Sequence, residues 1–418
     1  MENNVSLLFK IILLSMKHFD ITIVGAGIVG TATAMSILNK RKLSLSIVET
    51  EKEPALHQTS NNSGVIHSGL YYKPGSLKAQ NCINGRNKLY NFCKENNIKF
   101  EQCGKIVVAT NDKEISTLNE LEKRGIANGL TGLKRINKNE INEYEPNVNG
   151  IEGLYVPETG IVDYKQVTNK YAEKINNLGG NLFTKNKFQK LIRKNNELIV
   201  QTNEMEFYTK ILINCGGLYS DRVACNCGVD PEIKIIPFRG EYYELKKDKT
   251  SLVKNLIYPV PDPQFPFLGV HFTRMVNGGI EAGPNAVLAL KREGYSFKDF
   301  SITDISEMFT YPGFWKMAAK HYKMELYELY RSFSKKAFVK ALNKLIPTLT
   351  ENDIVRAGSG VRAQALDKNG KLIDDFFIKQ TLKTIHVLNA PSPAATASLS
   401  IGEYIAKIAL NKIDELNN

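Results

Sequence analysis

A glycine-rich turn near the amino terminus has the residue types and spacing to hold a phosphate group. Gly25, Gly27 and Gly30 form a G-x-G-x-x-G string that directly follows an apolar, β-branched run, residues 19–24, and opens a helical pattern. Such a turn lets backbone N–H groups at a helix N-terminus approach a pyrophosphate. Glu49 closes the next strand roughly 20 residues later, where a carboxylate accepts hydrogen bonds from a ribose hydroxyl. Together these residues predict a dinucleotide-binding βαβ unit.

A dense run of hydroxyl, amide and glycine residues follows this unit, from His57 to Gly69. Its members include Thr59, Ser60, Asn62, Ser63 and Gly64. The composition favours an extended loop that lies along a long dinucleotide and brings glycine backbone close to a flat ring. A polar surface loop is the alternative. A plain NAD dehydrogenase would have no use for such a loop, so the run favours FAD over NAD.

Composition restricts the class of protein and its partners. The chain has 418 residues, of which 43% are hydrophobic and 23% charged, as is ordinary for a globular protein. The formal net charge of +12 favours anionic partners, but no aromatic-interleaved basic motif indicates nucleic acid. The six cysteines form no CxxC pair, which argues for a reducing compartment and against a disulfide scaffold or a zinc site. We therefore expect a cytoplasmic protein that binds small anions and holds no metal.

Hydrophobic periodicity predicts an α/β fold. The predicted strands cover residues 19–24, 44–49, 106–110, 181–184, 188–192, 198–202, 209–214, 354–357, 376–379 and 384–388, and the predicted helices cover 28–40, 81–96, 115–124, 137–145, 166–178 and 396–411. Residues 237–347 differ in character, because Tyr- and Pro-rich strands are followed by a helical stretch from 297 to 345. The pattern predicts a discontinuous Rossmann-like nucleotide-binding domain interrupted by a second, α+β substrate domain. The expected ranges are 17–80, 151–235 and 348–418 for the first domain, and 81–150 and 236–347 for the second.

The leader of the chain allows two interpretations. Residues 5–16 are apolar but include Lys10, and they are too few to span a bilayer, which needs roughly 20 apolar residues. A signal peptide is disfavoured, because no small-residue cleavage site is present and a cofactor strand begins almost at once. Either the leader forms a short interfacial helix, or Met16 is the true start; the second is preferred, because families with this kind of strand usually begin a few residues before it.

Longer strings resemble a known group of flavoproteins. The opening turn, Glu49, the 57–69 loop and the string INCGG at 213–217 are similar to the D-amino-acid-oxidase-like oxidoreductases. Within that superfamily, five strings resemble the L-2-hydroxyglutarate dehydrogenase/oxidase family: HQTSNNSGVIHSGLYY (57–72), VPETGIVDY (156–164), PFRGEYYEL (237–245), FLGVHFTR (267–274) and NAPSPAATASLSIG (389–402). The resemblance extends over nearly the whole chain from about Lys17 onward.

The resemblance implies FAD as cofactor and assigns further residues to it. Gly216 would lie beside the FAD phosphates, Phe188 would supply backbone to the adenine, and Gly360 would lie near the flavin. Ser392, Ala394, Ala395 and Thr396 would open the last helix, whose N-terminus would stabilise negative charge on the reduced flavin.

The resemblance also implies the reaction, oxidation of (S)-2-hydroxyglutarate to 2-oxoglutarate with hydride passing from C2 to flavin N5. A dicarboxylate substrate needs two cationic anchors, preferably arginines, and the candidates are Arg239, Arg274 and Arg362. A base must accept the hydroxyl proton. His67 and His271 are the candidates, with His271 slightly preferred for contact with the substrate.

Other functions remain open at this stage. Another superfamily enzyme is the first alternative, either an amino-acid or amine oxidase or a glycerol-3-phosphate-type dehydrogenase. A flavoprotein subunit without turnover and an NAD dehydrogenase are weaker ones. The electron acceptor could be oxygen, a membrane quinone or a soluble carrier; the basic charge and the apolar leader favour a quinone and a location on the inner face of the membrane. Flavin covalency and oligomeric state stay open.

Overall fold

A computed structural model describes residues 16–194, 197–262 and 269–417. Residues 1–15, which hold almost all of the apolar leader, and the first two residues of the string FLGVHFTR lie outside this part. The strands are β1 (His18–Val24), β2 (Leu45–Val48), β3 (Val65–Ile66), β4 (Phe100–Glu101), β5 (Lys105–Ala109), β6 (Lys134–Asn137), β7 (Glu152–Val156), β8 (Gly160–Val162), β9 (Asn181–Phe183), β10 (Phe188–Lys194), β11 (Glu197–Thr202), β12 (Glu206–Asn214), β13 (Ile233–Leu245), β14 (Leu256–Pro259), β15 (His271–Arg274), β16 (Ile280–Gly283), β17 (Val287–Leu288), β18 (Ile354–Asp367), β19 (Phe377–Gln380) and β20 (Thr384–Asn389).

The α-helices are α1 (Ile28–Lys40), α2 (Leu77–Glu95), α3 (Ile115–Ala127), α4 (Lys138–Tyr144), α5 (Tyr164–Asn177), α6 (Ser220–Asn226), α7 (Ile302–Phe309), α8 (Pro312–Phe333), α9 (Lys335–Leu342) and α10 (Ser398–Asn417). Short 3-10 turns lie at Asp112–Glu114, Gly217–Tyr219, Lys247–Leu252 and Glu351–Asp353. Within the described residues, no helix is long and apolar enough to cross a membrane.

The first sheet is the nucleotide-binding one. Its strand order is β10-β11-β12-β1-β2-β9, with β20 also paired to β12 and β19 to β20. The pairs β1–β12, β1–β2, β2–β9 and β12–β20 are parallel, so the carboxyl ends of β1, β2 and β12 meet at one edge, where ligands bind in folds of this kind. Helices α1, α5 and α10 bury their apolar faces in one cluster with these strands.

Close packing of α10 on α1 depends on a glycine. A Cβ on Gly402 would lie 2.7 Å from the backbone carbon and oxygen of Ala32 and 2.9 Å from the nitrogen of Thr33. Side chains at this contact would push the two helices apart. The last helix is thereby fixed against the helix that carries the glycine-rich turn.

The second sheet has the order β17-β13-β16-β15-β14-β5-β7-β6, with β18 paired antiparallel to β13. A small third sheet, β3-β8-β4, adjoins it. An apolar cluster joins the second sheet to α9. The α/β fold with a second α+β unit is thus as predicted. Strands β7 and β18 pair within the second sheet, although the predicted ranges 151–235 and 348–418 assign them to the nucleotide-binding domain. The five domain ranges drawn from the sequence stay a prediction.

Most element boundaries lie within a few residues of the predicted ones, although α10 ends six residues later than predicted. Helix α1 and the predicted helix coincide at 28–40, but β18 continues ten residues beyond the predicted 354–357, through pairing with β13. The single helical stretch predicted over 297–345 is divided into α7, α8 and α9, and α8 begins with Pro312 at its first turn, where proline is tolerated. The last helix begins at Ser398, two residues later than predicted.

Candidate active site

The three glycines of the turn have different structural roles. Gly25 has a φ of +102°, and a Cβ there would lie 2.5 Å from the carbonyl oxygen of Cys215. A Cβ on Gly30 would lie 2.1 Å from the carbonyl oxygen of Gly25. At Gly27 a Cβ would meet only the hydroxyl of Thr59, at 3.5 Å. The first and third glycines are therefore required by the fold itself, whereas Gly27 leaves room for a phosphate at the N-terminus of α1.

Glu49 holds its carboxylate rigidly beside this turn. The side chain is buried, Oε2 accepts a hydrogen bond from the N–H of Ala26 at 2.7 Å, and Oε1 accepts one from the N–H of Glu51 at 2.9 Å. Each carboxylate oxygen has a further lone pair, so the group is fixed in place and still able to accept bonds from ribose hydroxyls. The backbone N–H groups of the open turn suit a pyrophosphate and the accepting carboxylate of Glu49 suits a ribose, so the site fits FAD.

The polar loop folds back on itself in front of α1. Asn62 donates to the carbonyl oxygens of Gln58 and Thr59, at 3.0 and 2.6 Å, and accepts from the N–H of Gly64 at 2.9 Å. The hydroxyl of Thr59 accepts from the N–H of Ile28 at 3.1 Å. Ser60 donates to the carbonyl of Ala55, and Ser63 is half-buried. Asn62 thus sets the shape of the loop, and Thr59 joins it to the helix N-terminus.

Two other segments meet this loop. A Cβ on Gly360 would lie 2.3 Å from the carbonyl oxygen of Asn61, so β18 can approach the loop only with glycine at this position. The hydroxyl of Thr396 accepts from the N–H of His67 at 3.1 Å and lies 2.9 Å from the hydroxyl of Tyr164. Ser392, Ala394 and Ala395 lie with Thr396 in the turns that precede α10; the prediction that they open that helix is wrong in this detail.

The remaining predicted cofactor residues lie at the first sheet. Gly216 follows β12, and its N–H donates to the side chain of Asn214 at 3.0 Å, which places it next to Gly25 across Cys215. Phe188 packs in an apolar cluster. Both the N–H and the carbonyl of the preceding Lys187 pair with Asn203, so the contact of residue 188 with adenine stays a prediction.

His67, His271 and Arg362 lie close enough together for their charges to interact; His271 is buried, and the other two are half-buried. Burial, together with smaller contributions from the charges of Lys105, His271, Lys78 and Arg362, lowers the pKa of His67 to about 3. Burial likewise lowers the pKa of His271 to about 4, with Arg362 and Lys105 again contributing. Both imidazoles are therefore neutral near pH 7 and can accept a proton.

The ring of His271 is held in a defined orientation. It stacks on Tyr258 with centroids 4.0 Å apart, and Nδ1 lies 2.9 Å from the carbonyl oxygen of Gly269. Because a carbonyl only accepts, we assign the hydrogen to Nδ1 and the lone pair to Nε2. His271 has the tautomer that a base requires.

Lys105 is a site residue that sequence reasoning missed. It is 1% exposed, and its Nζ lies 4.5 Å from the ring centroid of Tyr71 and 4.9 Å from that of Tyr258. Burial lowers the pKa of Lys105 to about 7. In the sequence Lys105 only precedes the apolar run IVVA, and a lysine at a strand end is ordinarily solvated. No local signal distinguishes a buried lysine from a solvated one at this position.

The other two candidate arginines lie elsewhere. In the β13–β18 register, Arg239 is opposite Val361, the neighbour of Arg362; adjacent residues of a strand face opposite sides, so Arg239 and Arg362 do not share a face. Arg239 is buried against Glu241 and the ring of Phe297. Arg274 pairs with Glu101. Direct contact of Arg239 or Arg274 with substrate stays a prediction.

The fold and this site define a two-domain flavin-dependent oxidoreductase. Residues 20–408 match the family model described as FAD dependent oxidoreductase. A dithionite-reduced L-α-glycerophosphate oxidase from Mycoplasma pneumoniae, solved with FAD bound, superposes with a TM-score of 0.77, at 22% identity over 96% of this chain and 95% of its own. At that identity the likeness concerns the fold.

Sequence relatives narrow the family. The chain is 54% identical to an L-2-hydroxyglutarate dehydrogenase of Indibacter alkaliphilus, over 94% of this chain and 99% of the relative. It is 44% identical to the mitochondrial L-2-hydroxyglutarate dehydrogenase of Homo sapiens, over 94% and 89% of the two chains, and 42% identical to the Escherichia coli one, over 93% and 92%. The chain belongs to the L-2-hydroxyglutarate dehydrogenase family of FAD-dependent oxidoreductases.

Proposed function

We propose that this protein oxidises (S)-2-hydroxyglutarate to 2-oxoglutarate in the buried region that contains His67, His271, Lys105 and Arg362. FAD, when bound, supplies the acceptor for the hydride that leaves C2. The observation that carries the proposal is the sign of the charge in this region. The positive charges of Lys105 and Arg362 both act on His67 and His271, and Lys105 is 1% exposed, so the region has the sign of charge that favours an anionic substrate.

The two cations suit the two carboxylates of the substrate. Arg362 acts on both histidines, and its planar fork can bind a carboxylate in a bidentate manner. Lys105 lies on β5 with its Nζ 4.9 Å from the ring centroid of Tyr258, and it would offer a point charge to the second carboxylate. A buried lysine with a pKa of about 7 is protonated more completely when an anion binds beside it.

A neutral histidine completes the arrangement. His271, with its lone pair assigned to Nε2, would accept the proton of the C2 hydroxyl while C2 loses its hydride, and the product would be the keto acid. His67 would hold its place at the flavin side through the bond from its N–H to Thr396. Removing water from this region strengthens the electrostatic interactions within it.

Anaerobic reduction of the purified flavoprotein tests the substrate. L-2-Hydroxyglutarate, D-2-hydroxyglutarate, glycerol 3-phosphate and a panel of amino acids are mixed with it separately, and the long-wavelength flavin absorbance is followed. We expect rapid bleaching with the L-hydroxy acid alone. Bleaching by glycerol 3-phosphate or an amino acid in its place would move the chain to another activity of the superfamily.

For the re-oxidation step we propose a quinone as electron acceptor and a position at the inner, cytoplasmic face of the membrane. The formal charge of +12 supports contact with an anionic surface. Steady-state turnover with a soluble quinone analogue, compared with oxygen alone, tests the acceptor. A rate in air equal to that with the quinone analogue would identify an oxidase.

A further inference from the structure

A continuous apolar surface covers one side of α8. Its side chains are Trp315, Ala319, Tyr322, Leu326, Leu329, Tyr330 and Phe333, all exposed. The large ones are between 41% and 65% exposed, and at roughly 100° per residue all seven fall within an arc of about 100°. Phe309 of α7 extends this surface, with its ring 5.5 Å from that of Trp315. We call these eight side chains the α8 face.

The charges beside this face have one sign. Every exposed charged side chain of α8 is a lysine, namely Lys316, Lys320 and Lys323, and on the helical projection the three follow one edge of the apolar arc. The acidic residues of the helix are turned inward: Glu328 pairs with Arg331 and accepts from the N–H of Ala286, and Glu325 is only partly exposed. Apolar and aromatic residues bordered by lysines are the composition of helices that lie in a bilayer interface.

We propose that the α8 face is a docking surface for an anionic lipid bilayer, with the axis of α8 parallel to the membrane. The apolar side chains would enter the headgroup boundary, where tryptophan and tyrosine are favoured, and the lysines would contact anionic headgroups. A second copy of the chain is a poorer occupant, because two such faces in contact would bring like-charged lysines together. This inference rests on the proposed membrane location and names the surface that would carry it; docking itself requires no substrate.

Trp315 gives a direct readout, because it is the single tryptophan of the chain. The FAD-loaded protein is mixed with vesicles of phosphatidylcholine alone or with about one third phosphatidylglycerol, and Trp315 emission and co-sedimentation are measured. We expect a blue shift and sedimentation with the anionic vesicles, quenching of Trp315 by brominated acyl chains, and loss of binding at high salt. An unchanged emission with sedimentation by another part of the chain would overturn the proposal.

Variants separate the two contributions. Tyr322→Ser/Leu326→Ser should weaken vesicle binding at least tenfold, and Lys316→Gln/Lys320→Gln/Lys323→Gln should weaken it on the order of 100-fold, at about fivefold per lysine near an anionic surface. The matched control is Ile126→Ser/Leu382→Ser, which removes two apolar side chains that are each 65% exposed elsewhere. Equal loss in the control, or equal binding to anionic vesicles by the lysine variant and the parent, would contradict the proposal.

Two further measurements keep the result distinct from the enzymatic proposal and from self-association. Flavin reduction by L-2-hydroxyglutarate should be unchanged in Tyr322→Ser/Leu326→Ser, because neither residue belongs to the site. The mass of the parent and the variant in solution without lipid should be the same. A dimer in the parent that becomes a monomer in the variant would identify a second copy as the occupant and refute the lipid assignment.

Discussion

The imidazole of His271 stacks on the ring of Tyr258, with centroids 4.0 Å apart and an angle of 19° between the planes. The ammonium of Lys105 also lies over the same tyrosine ring, 4.9 Å from its centroid. One aromatic side chain thus positions both the proposed base and a proposed substrate anchor. Because the ring of Tyr258 is itself only 1% exposed, neither partner can move without disturbing the core of the second sheet.

Replacing the proposed base should affect chemistry and spare cofactor binding. We expect His271→Asn to lower the rate of flavin reduction by L-2-hydroxyglutarate by about 10²- to 10⁴-fold, the usual contribution of a positioned base, with FAD content unchanged. Anaerobic stopped-flow absorbance gives the rate. His321→Asn, on α8, serves as the control. If His67→Asn shows the full loss and His271→Asn does not, the two histidines have the reverse roles.

Lys105 should control both affinity and its pH dependence. The substrate requires the ammonium form, and the pKa of Lys105 in the free protein is lowered to about 7. Affinity from this contact is therefore present below that pH and is lost as pH rises above it. We expect kcat/KM to fall above pH 7 in the parent and to lose this descending limb in Lys105→Met.

The same substitution should raise KM by about 10- to 150-fold, the equivalent of one charge-assisted hydrogen bond, with a smaller effect on kcat. Methionine keeps an unbranched apolar chain between the rings of Tyr71 and Tyr258, and Lys123→Met, at a lysine 74% exposed, is the surface control. An unaltered pH profile in Lys105→Met would assign the descending limb to another group.

The fold was predictable where local rules and tertiary packing agree. Helix α1 is bounded by the glycine-rich turn and contains the small residues that let α10 approach, so its limits follow from the sequence. The full length of strand β18 does not follow from the sequence, because Gly358 and Gly360 interrupt its strand pattern. Glycine is required at 360 because any side chain there would collide with the backbone of Asn61, a residue distant in sequence.

The site was predictable only in part, for a related reason. A G-x-G-x-x-G turn and its acidic partner are neighbours within one βαβ unit, so the sequence of that unit alone predicts that they share a dinucleotide site. Arg239 and Arg362 are equally plausible as anchors in the sequence, and only the register of β13 with β18 shows that they face opposite sides of the sheet. The burial of Lys105 is likewise decided by β14 and the turn after β3, which are far from it in the chain.

Glycine substitutions in the turn should separate folding from cofactor binding. Gly27→Val should give a folded protein without FAD, because a Cβ there meets only the Thr59 hydroxyl at 3.5 Å and the added methyl groups would fill the space for the pyrophosphate. Gly25→Ala should instead destabilise the protein, through its φ of +102° and the 2.5 Å approach to Cys215. The FAD-to-protein ratio and the melting temperature of the apoprotein measure the two effects. A yellow Gly27→Val protein would remove this turn from the cofactor site.

A buried ion pair fastens α6, beside the first sheet, to the segment after β17. Arg292 and Asp221 each have side chains 2% exposed; Nη2 of Arg292 donates to Oδ2 of Asp221 at 2.8 Å, and Nη1 donates to the carbonyl of Leu218 at 2.6 Å. Burial alone would raise the pKa of Asp221, but Arg292 holds it below its usual range. The pair is therefore charged within the protein.

Removing one member should cost far more than removing both. We expect Arg292→Met to lower the free energy of unfolding by about 3–5 kcal/mol, because it leaves a buried carboxylate unpaired. Arg292→Met/Asp221→Leu should recover part of that loss, since it removes the unpaired carboxylate, while the carbonyl of Leu218 and the N–H of Ile235 still lose their partners. Arg41→Met, which breaks an exposed pair with Asp414, should leave the melting temperature unchanged. Urea denaturation of the parent and these three variants gives their free energies of unfolding; equal destabilisation of the single and double variants would show that the unpaired charge of Asp221 is not the cause of the loss.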